Sequence, residues 1–219
     1  ARLYEDLGIL TANPGLCAEV AAVFNGLTGT TPYPEHGQIL IAPGSMRRRF
    51  VELIQREAVH AREGRPSGIY AKVNQLQDPE VIRELYQASQ AGVPITLNVR
   101  GLCCLRPGVP GVSDTIRVYG VVGRFLEHSR LYRFANDGAP EHYIGSADWM
   151  HRNLTNRIET VVPVLDPALQ QELDRIIEVY ETDNCSAWDC GPDGIYTPRR
   201  PAGDELCRAV QAAFLAGMD

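Results

Sequence analysis

The feature that most constrains this chain is a strand–helix–strand run with its punctuation intact. SGIYAKVNQL (67–76) reads as a strand, DPEVIRELYQASQAG (78–92) as a helix and VPITLNVRG (93–101) as a second strand. Asp78 can accept bonds from the open amides of the first helical turn. Pro79 suits the first helical position because no N–H is needed there, and Gly92 ends the helix. Two strands joined through a helix predict parallel pairing by a right-handed crossover, and hence an α/β fold: a mixed sheet flanked by helices.

The rest of the chain agrees with that class. Residues 1–11 read as a strand, and 13–29 as a helix capped by Asn13, with Pro14 in its first turn and Gly29 at its end. TTPYPEHG (30–37) reads as a linker and QILIAPG (38–44) as a short apolar strand. Residues 45–64 form a helix, with Ser45 as its cap, Gly64 as its stop, and Phe50, Val51, Ile54, Ala58 and Ala61 at helical spacing. After a Gly/Pro-rich loop come short strands at 114–122, 128–135, 142–147 and 157–164, a helix at 166–183, a polar loop, and a last helix at 203–217.

A hydrophobic content of 44% supports a packed core, and no apolar run is long enough to span a bilayer. The opening lacks the zones of a signal peptide and resembles the interior of a strand, so a fragment of a longer protein is expected. The six cysteines form no CxxC pair, which argues against structural zinc and for reduced thiols in a cytosolic protein. The Gly/Pro/Asp loop holding Cys185 and Cys190 leaves a disulfide or a metal open. Net charge is -6, yet arginines concentrate in 98–111, 121–134 and 143–157. Basic residues gathered against the global trend suit a polyanion, and arginine's planar fork matches phosphate oxygens.

Candidate chemistry lies at predicted strand ends, where open α/β sheets bind ligands. Lys72 with Asn74, and Asn98 with Arg100, each project to one face and suit a phosphate; solvated side chains at the sheet edge are the plainer alternative. His128 is the sharpest residue, because imidazole serves as nucleophile, acid or base near neutral pH. It opens an H-x-R pattern followed after seventeen residues by GSAD (145–148). That pattern resembles the phospholipase D phosphodiesterase motif, with Arg130 in place of lysine and Asp148 in place of asparagine. Arg124, Arg152 and Arg157 add donors. Arg47, Arg48 and Arg49 read as a solvated helix face, Asp148 and Trp149 as a cap and a packed aromatic, and His36, His60 and His142 have no comparable setting.

ARLYEDLGILTA, the run from SGIYAKVNQL through DTIRV, GRFLEHSR and YIGSADWMHRNLTNRIE together resemble the polyphosphate kinases of the long, phosphohistidine-forming class. The resemblance covers the chain to about residue 183 and implies a phospholipase D-like fold. It implies that 1–34 end the first of two related C-terminal domains and that 35–219 form the second. The implied activity is reversible transfer of the terminal phosphate of ATP to inorganic polyphosphate, with magnesium. By matching position, Tyr4 and Asp6 belong to the nucleotide site, Arg100 and Arg157 bind phosphate, and His128 is the second essential histidine. The phosphorylated histidine and the magnesium ligands fall upstream, so this chain alone is expected not to turn over. Partners are ATP or ADP and polyphosphate, without nucleic acid, in a homo-oligomer of the intact enzyme. The expected location is the cytoplasm, including the inner face of the membrane. A phospholipase D-like phosphodiesterase is disfavoured by the single His motif; a non-catalytic polyanion-binding module is the alternative of a different class.

Overall fold

The computed structural model describes residues 3–29 and 37–217. Nine strands form one mixed sheet. In chain order these are β2 (Leu40–Ala42), β3 (Ile69–Val73), β4 (Ile95–Val99), β5 (Ile116–Val121), β7 (Leu131–Phe134), β8 (Glu141–Gly145), β9 (Glu159–Pro163), β10 (Ala187–Cys190) and β11 (Tyr196–Pro198). Their spatial order is β11-β10-β5-β4-β3-β7-β8-β9-β2. Two further short strands, β1 (Tyr4–Glu5) and β6 (Leu126–Glu127), pair in parallel as a separate ribbon. β3, β4 and β5 are parallel neighbours, as the strand–helix–strand pattern requires; β7, β8, β9 and β2 continue the sheet antiparallel.

The helices are α1 (Pro14–Leu27), α2 (Met46–Arg62), α3 (Pro79–Gln90), α4 (His151–Thr155), α5 (Pro167–Glu181) and α6 (Val210–Ala216). Three start as their sequences dictate: Asn13, Asp78 and Asp166 each accept a first-turn amide, with proline next. Ser45 does not. It has helical dihedrals and its side chain makes no cap bond, so α2 begins without the expected cap.

The period-two alternation of the strands feeds two faces. Ile69, Ala71 and Val73 of β3 and Ile95, Leu97 and Val99 of β4 join Phe50, Ile54, Val81 and Leu85 in the main core beneath α2 and α3. Tyr70, Leu131 and Ile144 face the other way, against Leu173 and Ile177 of α5, with Leu7 and Ile9 of the N-terminal segment packed beside them. Trp149 is fully buried, with Phe50 at 5.5 Å and Tyr132 at 5.3 Å between ring centroids, so its reading as a packed aromatic holds.

Several expectations change. Among the described residues of 1–11 only Tyr4–Glu5 is strand, and the linker and His36 lie outside the described residues, save Gly37. The polar tail contains a hairpin, β10–β11, that extends the sheet beyond β5. Cys185 is bonded to Cys207, with Cα atoms 5.7 Å apart, while Cys17, Cys103, Cys104 and Cys190 are free. The all-reduced expectation therefore fails for one pair, because α6's approach brings Cys207 to Cys185. Arg47 is not on a solvated face: it meets the buried cap Asp78 at 2.8 Å, whereas Arg48 and Arg49 pair with Glu52. His60 and His142 are buried, and His142 Nε2 lies 2.7 Å from Asp174. Among the described residues no helix is long and apolar enough to cross a membrane.

Candidate active site

The site gathers at one end of the sheet. β3, β4 and β5 deliver their carboxyl ends there, while β7 and β9 start there and β8 ends there. Asn74, Arg100, Arg124, His128, Ser146 and Arg157 therefore share this end. His128 is not embedded in a strand as expected; it follows β6 and precedes β7.

The β1–β6 ribbon sets the geometry. Tyr4 pairs with Leu126 and Glu5 with Glu127, so the next residues, Asp6 and His128, fall opposite each other. Asp6 Oδ2 lies 2.7 Å from His128 Nδ1 and can accept its proton. The Tyr4 ring meets the imidazole edge-on at 5.2 Å and is itself 61% exposed. His128 thus touches both residues expected at the nucleotide site.

Arg130 flanks the histidine. One Nη donates to the His128 carbonyl at 2.8 Å and lies 3.3 and 3.1 Å from the two ring nitrogens. A donor on the Nε2 axis would be much farther from Nδ1 than from Nε2. The near equality puts the guanidinium beside the ring and leaves the Nε2 direction to another group. Arg130 Nε also reaches Asp148 Oδ1 at 3.2 Å, and that oxygen accepts the Asn74 amide at 2.7 Å. With its amide turned so that the oxygen faces Arg130, the Asn74 side chain closes the cluster: its nitrogen donates to the Glu127 carbonyl at 2.6 Å and its oxygen accepts from Arg130 at 2.8 Å. Arg130 and Asp148 hence act as a matched pair where the phosphodiesterase motif has lysine and asparagine.

Arg100 follows β4, with its amide on the Val73 carbonyl at 3.3 Å. One of its guanidinium nitrogens is buried without a protein partner. Buried donors rarely stay unpaired, so this corner suits an acceptor-rich ligand. Arg157 is exposed beyond α4, its amide on the Arg152 carbonyl at 2.9 Å. Gly145 makes this end possible: a Cβ there would lie 2.3 Å from the Thr160 carbonyl oxygen of β9.

Lys72 departs from expectation. It is neither a phosphate donor nor a solvated edge residue, being 3% exposed and bonded to Glu5 at 3.2 Å, Glu127 at 3.1 Å and Ser129 Oγ at 2.7 Å. Burial pushes the Glu5 carboxyl up, but Lys72 and the hydrogen bond from Ser129 outweigh it and hold Glu5 below the usual carboxylate range. Tyr180 donates to Glu127 Oε2 at 2.6 Å, and burial followed by that carboxylate drives its phenol far above the ordinary range, so it stays protonated. Gln211 of α6 donates to Glu127 Oε1 at 2.6 Å. The sequence reading missed Glu5, Glu127, Ser129, Tyr180 and Gln211. Among the described residues no group of three or more His, Cys, Asp or Glu side chains is placed to hold a metal ion.

One end of a mixed α/β sheet thus carries a histidine, several arginines and a tyrosine, and the arginine forks have the geometry that matches phosphate oxygens. The family follows from comparison. Residues 39–210 match the model described as polyphosphate kinase C-terminal domain 2, and the chain belongs to that family. It is 51% identical over 216 residues to a polyphosphate kinase of Thermosynechococcus vestitus and 49% identical over 215 residues to one of Pseudomonas aeruginosa, covering 99% and 98% of this chain. The chain spans only 30% and 31% of those relatives. The crystal structure of polyphosphate kinase from Porphyromonas gingivalis superposes over 100% of this chain and 34% of its own, with TM-score 0.92 and 41% identity. A looser likeness, TM-score 0.46 at 16% identity, links 63% of the chain to a phospholipase D family member, Nuc, from Salmonella typhimurium and carries no further weight.

Proposed function

We propose that this chain is part of a polyphosphate kinase, reversibly moving the terminal phosphate of ATP to inorganic polyphosphate through a phosphohistidine outside residues 1–219. In this reading residues 1–34 close the first C-terminal domain and 35–219 form the second, within a homo-oligomer. The observation that carries the reading is the His128 cluster: imidazole held on Nδ1 by Asp6, flanked by Tyr4 and Arg130, at the sheet end shared with Arg100 and Arg157.

Phosphoryl transfer is mostly positioning and charge stabilisation, so the residues here have two tasks. Arg100 and Arg157 clamp the β- and γ-phosphates. His128, its Nδ1 proton held by Asp6, presents Nε2 to the bridging or leaving oxygen and protonates or hydrogen-bonds it; Tyr4 stands where the nucleotide base or sugar would pack. Magnesium would be held by residues outside this chain and would screen the phosphate charge.

The test is nucleotide and polyphosphate binding by the intact protein carrying Arg100→Ala or Arg157→Ala. The reading expects weaker binding of both ligands and a shallower salt dependence. Unchanged affinities and salt slopes would refute the phosphate clamp. A non-catalytic polyanion-binding module would lose affinity in the same variants yet show no ATP-dependent synthesis in the wild type.

A further inference from the structure

Lys72 stands in β3, the outer one of three parallel strands, between β4 and the antiparallel β7, on the face that α5 covers. An ammonium has three protons, and four acceptors surround this one: Glu5 Oε2 at 3.2 Å, Glu127 Oε2 at 3.1 Å, and Ser129 Oγ and carbonyl at 2.7 and 3.2 Å. The Tyr180 ring lies 5.0 Å from the same nitrogen. Nothing is left over for a substrate phosphate.

The two carboxylates it holds are register partners across the β1–β6 ribbon. Like charges directly opposite on paired strands repel, and these two are largely buried, 17% and 3% exposed. Lys72 lies against both, and Ser129, Tyr180 and Gln211 add donors to them, while backbone bonds from Leu126 to Leu3 and from His128 to Glu5 hold the ribbon itself. Side chains alternate along a strand. With Glu5 and Glu127 turned inward to Lys72, Tyr4, Asp6 and His128 turn to the other side, where Asp6 and His128 meet at 2.7 Å.

We propose that Lys72 is a positioning residue: it locks the N-terminal segment onto β6 in this register and thereby creates the Asp6–His128 contact. The inference rests on the reading of His128 given under Proposed function. In that scheme residues 4–6 and residue 128 come from two domains, and Lys72 is the clip between them.

The test uses the intact protein, with turnover, its pH profile and 15N NMR of the His128 imidazole measured on the same samples. Lys72→Met is expected to lose about 100-fold in turnover, the scale set by a misplaced catalytic group. It should also move the His128 Nδ1 resonance in the same direction as Asp6→Asn, because both remove the carboxylate from Nδ1. The Lys72→Met/Asp6→Asn pair should be no worse than the poorer single variant. Lys72→Met/Glu5→Gln, which restores the cluster's net charge, should regain turnover and the wild-type Nδ1 resonance. A Lys72→Met protein with wild-type pH profile and His128 Nδ1 resonance, impaired only in stability or in the KM for ATP, would overturn the inference. If His128→Ala keeps wild-type turnover, the kinase reading fails; the Nδ1 resonance still decides whether Lys72 sets the contact.

Discussion

Asp148→Asn is the sharpest stability test of the site's construction. Arg130 and Asp148 are 11% and 8% exposed in their side chains, with Nε to Oδ1 at 3.2 Å and an Nη to Oδ2 at 3.4 Å. The asparagine oxygen can still accept the Asn74 amide, now at 2.7 Å, but Arg130 then faces an amide instead of a carboxylate. Removing one partner of a buried pair costs about 3–5 kcal/mol. The surviving Asn74 bond and Arg130's bond to the His128 carbonyl favour the low end, about 3 kcal/mol, or about 6–12 °C in Tm for a chain of this size. Arg130→Met/Asp148→Asn removes both charges, so the double variant should fall short of the summed single costs by at least about 1.5 kcal/mol. Urea unfolding of the four proteins measures both quantities. A single-variant cost below about 1 kcal/mol, or additivity within about 0.5 kcal/mol, would mean a solvated contact and would refute the reasoning.

Other predictions follow from the same geometry. Glu5 is held below its ordinary pKa, so its stabilisation is present above the ordinary glutamate value and is lost as pH falls through its lower folded-state value; Glu5→Gln should flatten that acid limb in pH-dependent urea midpoints, and an unchanged limb would contradict it. Gly145→Ala puts a methyl carbon against the backbone of β9 and should cost about 1–3 kcal/mol by thermal unfolding, whereas Gly29→Ala, where no atom lies within 4 Å of the added carbon, should cost less through backbone strain alone. Equal losses would mean that β8 and β9 part at no cost.

How much of this was legible follows from where the forces are local. The caps at Asn13, Asp78 and Asp166 and the alternation of β3 and β4 are written in neighbouring residues, so the parallel core could be read directly. The hairpin at 187–198 could not: two short strands with a single buried residue between them become sheet only by pairing with β5. The Cys185–Cys207 bond likewise rests on non-local contacts of the tail, with Asn184 and Arg208 bonded to each other beside it. Within the site, His128 and Arg100 were visible as charges beside apolar runs, but their partners Asp6 and Val73 are brought in from 122 and 27 residues away. The sequence does hold one local signal for the rest of the cluster. A lysine inside the apolar strand IYAKV, in a sheet covered on both faces, must find buried anions, and Glu127 beside His128 was the nearest candidate.

The central claim is that His128 serves phosphoryl transfer, and ATP-dependent polyphosphate synthesis by the intact protein tests it most directly. With His128→Ala, synthesis should fall by about 100-fold or more, the range set by a positioned general acid, while Tm stays near wild type because the ring is partly exposed. Synthesis within about threefold of wild type, smaller than any effect expected of a general acid, would contradict the account.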